Sequence, residues 1–117
     1  MLFRSGQKYK HYAPSKPMVL LEGTLQQQLA YLKTVSLNDT LLISVDEIIQ
    51  RINAPFIYSL GGSHDYKKAM NGLFEILRES ESFPVSSLIV TSFEDIGLGA
   101  TLNDRLRKAA SRIIYTP

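Results

Sequence analysis

A short, nearly continuous apolar segment that ends in two carboxylates most constrains how this chain can fold. The segment covers residues 41–45, and Asp46 and Glu47 follow it directly. Strands that are apolar throughout are usually buried on both faces, as in a parallel sheet. Open α/β sheets bind ligands at the carboxyl edge of their strands. The segment therefore predicts a central parallel strand with polar groups at that edge; the alternative is a solvated helix start capped by Asp46.

Predicted strands alternate with predicted helices along the rest of the chain. Thr24 precedes leucines at helical spacing, and Asp65 precedes the clearest apolar stripe, so both are predicted to cap helices. Such alternation is typical of βαβ units and of a parallel sheet with right-handed crossovers. We predict strands at 18–21, 41–45, 87–91 and 112–115, helices after 24, 46 and 65 and over 103–110, and loops over 53–64 and 92–102.

Composition and charge restrict the classes of function. A length of 117 residues allows one domain, and the absence of cysteine excludes disulfides and thiolate metal sites. No apolar run is long enough to cross a membrane, and we expect a cytoplasmic protein. Residues 1–16 carry four basic and no acidic side chains and are predicted to be a basic tail, whereas residues 17–117 have a net charge of −2. The distant His11 and His64 do not suggest a zinc site.

The order of these pieces resembles the distal half of a RecA-type ATPase core. The matching pieces are the segment 22–29, the apolar strand that ends at Asp46 and Glu47, the helix 66–78, the strand 88–92 and the final segment 109–115. Archaeal recombinase paralogues and KaiC-like clock ATPases are the most similar members. The resemblance covers residues 17–117 and implies a three-layer αβα domain with a four-stranded, mainly parallel sheet. It also implies a role in DNA recombination and repair or a KaiC-like role.

The same resemblance implies an ATP site at the carboxyl edge. Asp46 would be the Walker B residue that holds Mg²⁺ through water near ATP, since this ion requires oxygen ligands. Glu47 would polarise the attacking water, and Thr91 would act as a polar sensor. For each of these residues the alternative is an ordinary capping, surface or strand-end side chain. Glu22 would be a second acidic group near the nucleotide or, as we favour, the charge preferred before a helix.

A further implication concerns DNA and self-association. The loop after Ser92 resembles the DNA-binding loop of recombinases, but Glu94 and Asp95 disfavour contacts with phosphate. The basic residues that would contact single-stranded DNA are Arg105, Arg107 and Lys108. A solvated helix face is the alternative for these three side chains. RecA-type proteins also imply a homo-oligomer of the complete protein.

The chain departs from the RecA pattern in one decisive respect, because no glycine begins a Walker A sequence, G-x-x-x-x-G-K-[ST]. We expect that loop to lie upstream of Met1 in the natural protein, and we expect the chain alone not to hydrolyse ATP. Because the phosphate-loop strand is missing, the four predicted strands should close up in chain order. The alternative function is a small, non-catalytic α/β binding or regulatory module.

Overall fold

A computed structural model describes residues 13–117 and shows a five-stranded parallel sheet flanked by helices. The strands are β1 (Met18–Glu22), β2 (Thr40–Ser44), β3 (Ile57–Ser59), β4 (Ser87–Thr91) and β5 (Arg112–Tyr115). The helices are α1 (Leu25–Leu32), α2 (Asp46–Ile49), α3 (Tyr66–Glu79) and α4 (Leu98–Ala109), and a 3₁₀ turn (Ser80–Ser82) follows α3. No helix within residues 13–117 is long and apolar enough to cross a membrane.

The strand order determines which helices lie on each face of the sheet. The order is β3-β2-β4-β1-β5, and every neighbouring pair is parallel. The chain moves from β1 through β2 to β3 and then returns to β4 and β5. Right-handed crossovers therefore put α1 and α2 on one face and α3 and α4 on the other. The contacts between α1 and α2, and between α3 and α4, agree with this arrangement.

Local sequence explains where the two principal helices on opposite faces begin. Thr24 forms a capping box at α1, in which its Oγ1 accepts from Gln27 N at 3.1 Å and its N–H donates to Gln27 Oε1 at 2.9 Å. Asp65 caps α3, because its Oδ1 accepts from Lys68 N at 3.3 Å. Both predicted caps are confirmed.

The core lies between the sheet and its two helical layers. All five residues of β2 are buried, as expected for a central strand covered on both faces. Met18, Leu20 and Leu21 of β1 are completely buried. Leu73 of α3 and Leu106 of α4 are also buried and cover the face of the sheet on which these two helices lie. The α/β class and the parallel sheet with helices on both faces are therefore confirmed, with five strands instead of four.

The predicted order of the strands was wrong. β1 lies between β4 and β5, so these two strands do not pair with each other as the chain order predicted. Its three fully buried side chains explain this position, because an edge strand would expose part of them to water. β5 occupies the edge and leaves Arg112 and Tyr115 exposed.

Two predicted boundaries were also wrong. The predicted loop 53–64 contains β3, and α4 begins at Leu98 rather than near residue 103. A three-residue strand whose side chains are only half-buried gives little alternation to detect. Of the predicted basic tail, residues 1–12 lie outside the described residues. Its end is attached to the turn after α3, where Lys16 Nζ donates to Ser80 O at 2.9 Å and Phe83 O at 2.5 Å.

Candidate functional site

A cavity of about 410 Å³ opens at the carboxyl edge of the sheet. Its walls come from the ends of β1, β2 and β4, from Ser63 and His64, and from α1 and α4. β1 and β4 are neighbours, but the helices that follow them lie on opposite faces of the sheet. Such a change of direction leaves a crevice outside the strand ends, which is where open α/β sheets bind ligands.

An ion pair forms one side of the cavity. Arg107 Nε donates to Glu22 Oε2 at 2.7 Å and Arg107 Nη2 donates to Glu22 Oε1 at 3.0 Å. This two-pronged geometry is the strong form of an arginine–carboxylate contact. The hydrogen bond to Glu22 raises the pKa of Arg107 above its ordinary value, so the guanidinium stays charged. Asp95 Oδ1 lies 3.6 Å from Arg107 Nη2, and the pair therefore connects β1, α4 and the loop after β4.

Two buried amide side chains hold the loop that follows β4. Gln28 of α1 accepts from Ser92 N at 2.8 Å and donates to Gly23 O at 2.8 Å. Asn103 of α4 accepts from Phe93 N at 2.8 Å and donates to Phe93 O at 2.8 Å. Both amides are 1% exposed, and the bonds with Ser92 N and with Phe93 N and O are buried, so they satisfy backbone groups that have little access to water. The polar wall is therefore fixed from both faces of the sheet.

Glycine is required where the chain turns into and out of this region. Gly23 has a φ of 151°, and a Cβ at that position would overlap Thr116 Oγ1. In the first turn of α4, a Cβ on Gly99 would overlap the backbone oxygen of Glu94. The tight contact at Gly99 lets α4 start close behind the loop and brings Asn103 within reach of Phe93.

The predicted ATPase residues lie at the same edge but outside the cavity wall. Asp46 Oδ1 accepts from Ser59 Oγ at 2.5 Å, and Thr91 Oγ1 shares a hydrogen bond of 2.6 Å with Ser44 Oγ. Asp46 is the first residue of α2 and does not cap it, since Val45 is the N-cap. Thr91 is the last residue of β4, and Asp46 lies two residues beyond the end of the adjacent parallel strand β2. Their hydrogen bonds give them structural roles.

Glu47 is held by a serine. Ser63 donates to its carboxylate from Oγ at 2.7 Å and from the backbone N at 3.0 Å. These bonds, with that of Ser63 Oγ the largest cause, lower the pKa of Glu47 below its ordinary value. Within residues 13–117 no group of three or more His, Cys, Asp or Glu side chains could hold a metal ion.

A serine, a histidine and a carboxylate do meet at the cavity rim. Ser63 Oγ lies 3.2 Å from His64 Nδ1, and His64 Nε2 lies 3.9 Å from Glu94 Oε1. A hydrolytic triad needs the serine proton to point at the histidine. Here Ser63 gives that proton to Glu47, and the contact between His64 and Glu94 exceeds hydrogen-bond length. The arrangement therefore lacks an activated nucleophile.

The three basic residues predicted to contact DNA do not share one free surface. Arg107 is bound to Glu22 in the cavity wall. Arg105 Cζ lies 5.3 Å from the centre of the Phe74 ring, and Lys108 Nζ lies 3.7 Å from Asp104 Oδ2. Each cation is therefore engaged within the protein. Sequence reasoning missed Gln28 and Asn103 because a buried amide in a helix gives no pattern that distinguishes it from an exposed one.

Comparison with known proteins identifies a different family from the one that the sequence suggested. A family profile described as the C-terminal domain of threonylcarbamoyl-AMP synthase matches residues 4–111. The threonylcarbamoyl-AMP synthase of Bacillus subtilis (strain 168) is 30% identical over 107 residues, which cover 90% of this chain and 31% of that protein. The Pyrococcus abyssi (strain GE5 / Orsay) enzyme is 26% identical over 125 residues, which cover 93% of this chain and 32% of that protein.

A solved structure agrees with these relatives. The crystal structure of P. abyssi Sua5 complexed with L-threonine matches with a TM-score of 0.66 and 25% identity, over 90% of this chain and 31% of that one. The chain thus spans about a third of the length of these relatives. The RecA-like assignment, its Walker B motif and the roles in DNA recombination and repair were wrong.

The order of strands, helices and loops behind the RecA assignment is shared by many open α/β sheets and does not specify a function. The RecA resemblance was the support for the ATPase roles of Asp46, Glu47 and Thr91 and for the DNA contacts of the basic residues. Because that assignment was wrong, these roles have lost their support. The family match extends over most of the chain, and the relatives and the solved structure agree with it. This chain belongs to the family of threonylcarbamoyl-AMP synthase C-terminal domains.

Proposed function

We propose that this chain works as the C-terminal domain of a threonylcarbamoyl-AMP synthase and supports product formation by the other two thirds of the enzyme. The family match over residues 4–111 is the observation that carries this proposal. The named product joins threonine, a carbamoyl group and AMP. Forming it takes an assembled enzyme about three times as long as the part matched here.

The chemistry of the cavity supports an accessory role. Its strongest polar groups bind each other, as Glu22 and Arg107 do, or hold the backbone, as Gln28 and Asn103 do. Among the described residues, every buried side-chain nitrogen and oxygen has a hydrogen-bond partner. Groups committed in this way fix the shape of a domain and are poorly placed to transfer protons or attack a substrate.

The ligands of the complete enzyme follow from the names of its relatives. ATP is the ordinary donor of an AMP group, and the P. abyssi protein was solved with L-threonine. We propose that the parent enzyme binds both ATP and L-threonine, and that Mg²⁺ binds together with the ATP phosphates. Self-association, contact with single-stranded DNA and a cytoplasmic location stay predictions without further support.

The test replaces the matching third of the B. subtilis enzyme with this chain. Formation of threonylcarbamoyl-AMP from ATP, L-threonine and bicarbonate is measured by mass spectrometry. We expect the chimera to form more product than the B. subtilis enzyme truncated before the segment, and the isolated 117-residue chain to form none. Product from the isolated chain, or a folded chimera no more active than the truncated enzyme, would contradict the proposal.

A further inference from the structure

The cavity at the carboxyl edge has the size and the walls of a small-molecule site. Its volume of about 410 Å³ lies within the roughly 300–1,000 Å³ typical of ligand pockets. Leu25, Val45 and Phe93 give it apolar walls on three separate elements, namely α1, the end of β2 and the loop after β4. Gln28 and Asn103 fix two of these elements through backbone hydrogen bonds. The walls are therefore preorganised around an apolar space.

The charges around this space select against anions. Among residues 13–117, Arg107 is the one lysine or arginine that lines the cavity, and both prongs of its guanidinium are bound to Glu22. A phosphate or carboxylate ligand would have to displace that partner. The rim instead presents the carboxylates of Glu94 and Asp95, whose side chains are each 62% exposed. Asp95 Oδ1 already accepts from Asn103 Nδ2 at 3.1 Å and lies 3.6 Å from Arg107 Nη2, so Glu94 is the main acceptor. Glu94 Oε1 lies 3.9 Å from His64 Nε2, which leaves it available as an acceptor for a stronger donor.

We propose that the cavity binds a small amphipathic amine. The apolar body of the ligand packs against Leu25, Val45 and Phe93, and its ammonium group faces Glu94 and Asp95 at the rim. This site lies wholly within the present domain and does not depend on the chemistry of the rest of the enzyme. The C-terminal domain would then bind a ligand of its own. That ligand is a cation, whereas the AMP group of the product carries an anionic phosphate.

Three probes of similar size and different charge test the site in the 117-residue chain. They are 2-phenylethylamine, 2-phenylethanol and 3-phenylpropanoate, and binding is measured from the backbone amide resonances of Leu25 and Phe93. We expect the amine to bind most tightly, the alcohol less tightly and the carboxylate least. Added salt should weaken binding of the amine, because the rim charges are exposed. Equal or tighter binding of the carboxylate, or no response to any probe, would overturn the proposal.

Charge-neutral variants of the rim locate the ammonium group. The double change Glu94→Gln and Asp95→Asn should weaken binding of the amine by roughly threefold to tenfold, as expected for exposed ion pairs, and leave the alcohol unaffected. The matched control, Glu75→Gln with Glu79→Gln, removes two exposed charges from α3 outside the cavity. An equal loss in the control, or none in the rim variant, would refute the site. If the double variant unfolds, Glu94→Gln alone repeats the test, because within residues 13–117 the Glu94 side chain makes only the long contact with His64.

Discussion

Three carboxylates near the carboxyl edge of the sheet are bound to neighbouring side chains of the same domain. Glu22 accepts from Arg107, Asp46 accepts from Ser59, and Glu47 accepts from Ser63. Hydrogen bonds to the charged form of a carboxylate favour that form and stabilise the fold in which they exist. At the residue scale these acidic side chains therefore act as acceptors that join neighbouring elements, and the pKa of Glu47 is lowered as a result.

Glu47 should carry a pH-dependent part of the stability. Its pKa in the folded protein lies below the ordinary value of 4.5, mainly because Ser63 Oγ donates to it. The stabilisation is therefore fully present above about pH 4.5 and is lost as the pH falls through the lowered pKa. It should amount to less than about 1 kcal/mol, because the carboxylate is exposed to solvent.

The Ser63→Ala substitution checks this assignment. We expect it to bring the pKa of Glu47 back toward 4.5 in a carboxyl-carbon NMR titration. Ser86→Ala is the matched control, because Ser86 binds Asp39 at a different loop and should leave the Glu47 titration unchanged. An unshifted Glu47 pKa in the parent chain would show that the hydrogen bond with Ser63 is not maintained in solution.

At the scale of elements, one helix on each face of the sheet holds the loop after β4. Gln28 reaches it from α1 and Asn103 reaches it from α4. A buried backbone N–H or C=O that loses its partner costs about 1–3 kcal/mol. These two amides therefore stabilise the loop after β4 and, through it, the cavity wall.

The Asn103→Ala substitution should lower the free energy of unfolding by at least about 1–3 kcal/mol, the cost of one unsatisfied backbone group, because Phe93 N and O would both lose their partner. Denaturation by urea gives this value, and amide exchange should show faster opening of residues 93–97. Asn71→Ala, on the exposed surface of α3, is the control and should change stability by no more than about 0.5 kcal/mol. Equal effects of the two substitutions would show that the buried amide does not support the loop.

The helix caps could be predicted from the sequence, but the contacts between elements could not. Thr24 and Asp65 act on backbone groups three residues away, so the necessary information is local. Asn103 acts on Phe93, ten residues away across a turn, and Gln28 acts on Ser92, sixty-four residues away. The cavity depends on these distant pairs. The sequence therefore indicated the edge of the sheet that carries the cavity and some of its charged residues, such as Glu22 and Arg107, but neither their pairing nor the buried amides.

At the scale of the whole molecule, β1 is an inner strand of the sheet, with β4 on one side and β5 on the other. Chain order alone suggested that β1 would be an edge strand. Burial decides otherwise, since its side chains at Met18, Leu20 and Leu21 have no exposed surface. β5 pairs with β1 on one side only, through bonds such as those from Ser111 N to Met18 O and from Thr116 N to Glu22 O, both 2.8 Å long.

This arrangement predicts different protection of the strands against hydrogen exchange. Amide protons that donate between β4 and its neighbours β1 and β2 should exchange only through global unfolding, whereas those that donate across the β1–β5 junction, such as Thr116, should also exchange through local opening. We expect protection at Thr116 to be at least about tenfold lower than at Leu88, whose N–H donates to Pro17 O beside β1 at 2.9 Å; a tenfold ratio corresponds to about 1.4 kcal/mol. Native-state exchange followed by NMR measures both sites in one sample. If the amide protons between β1 and β4 exchanged as readily as those between β1 and β5, β1 would not be a stable inner strand in solution. The cavity between the ends of β1 and β4 would then lose its wall.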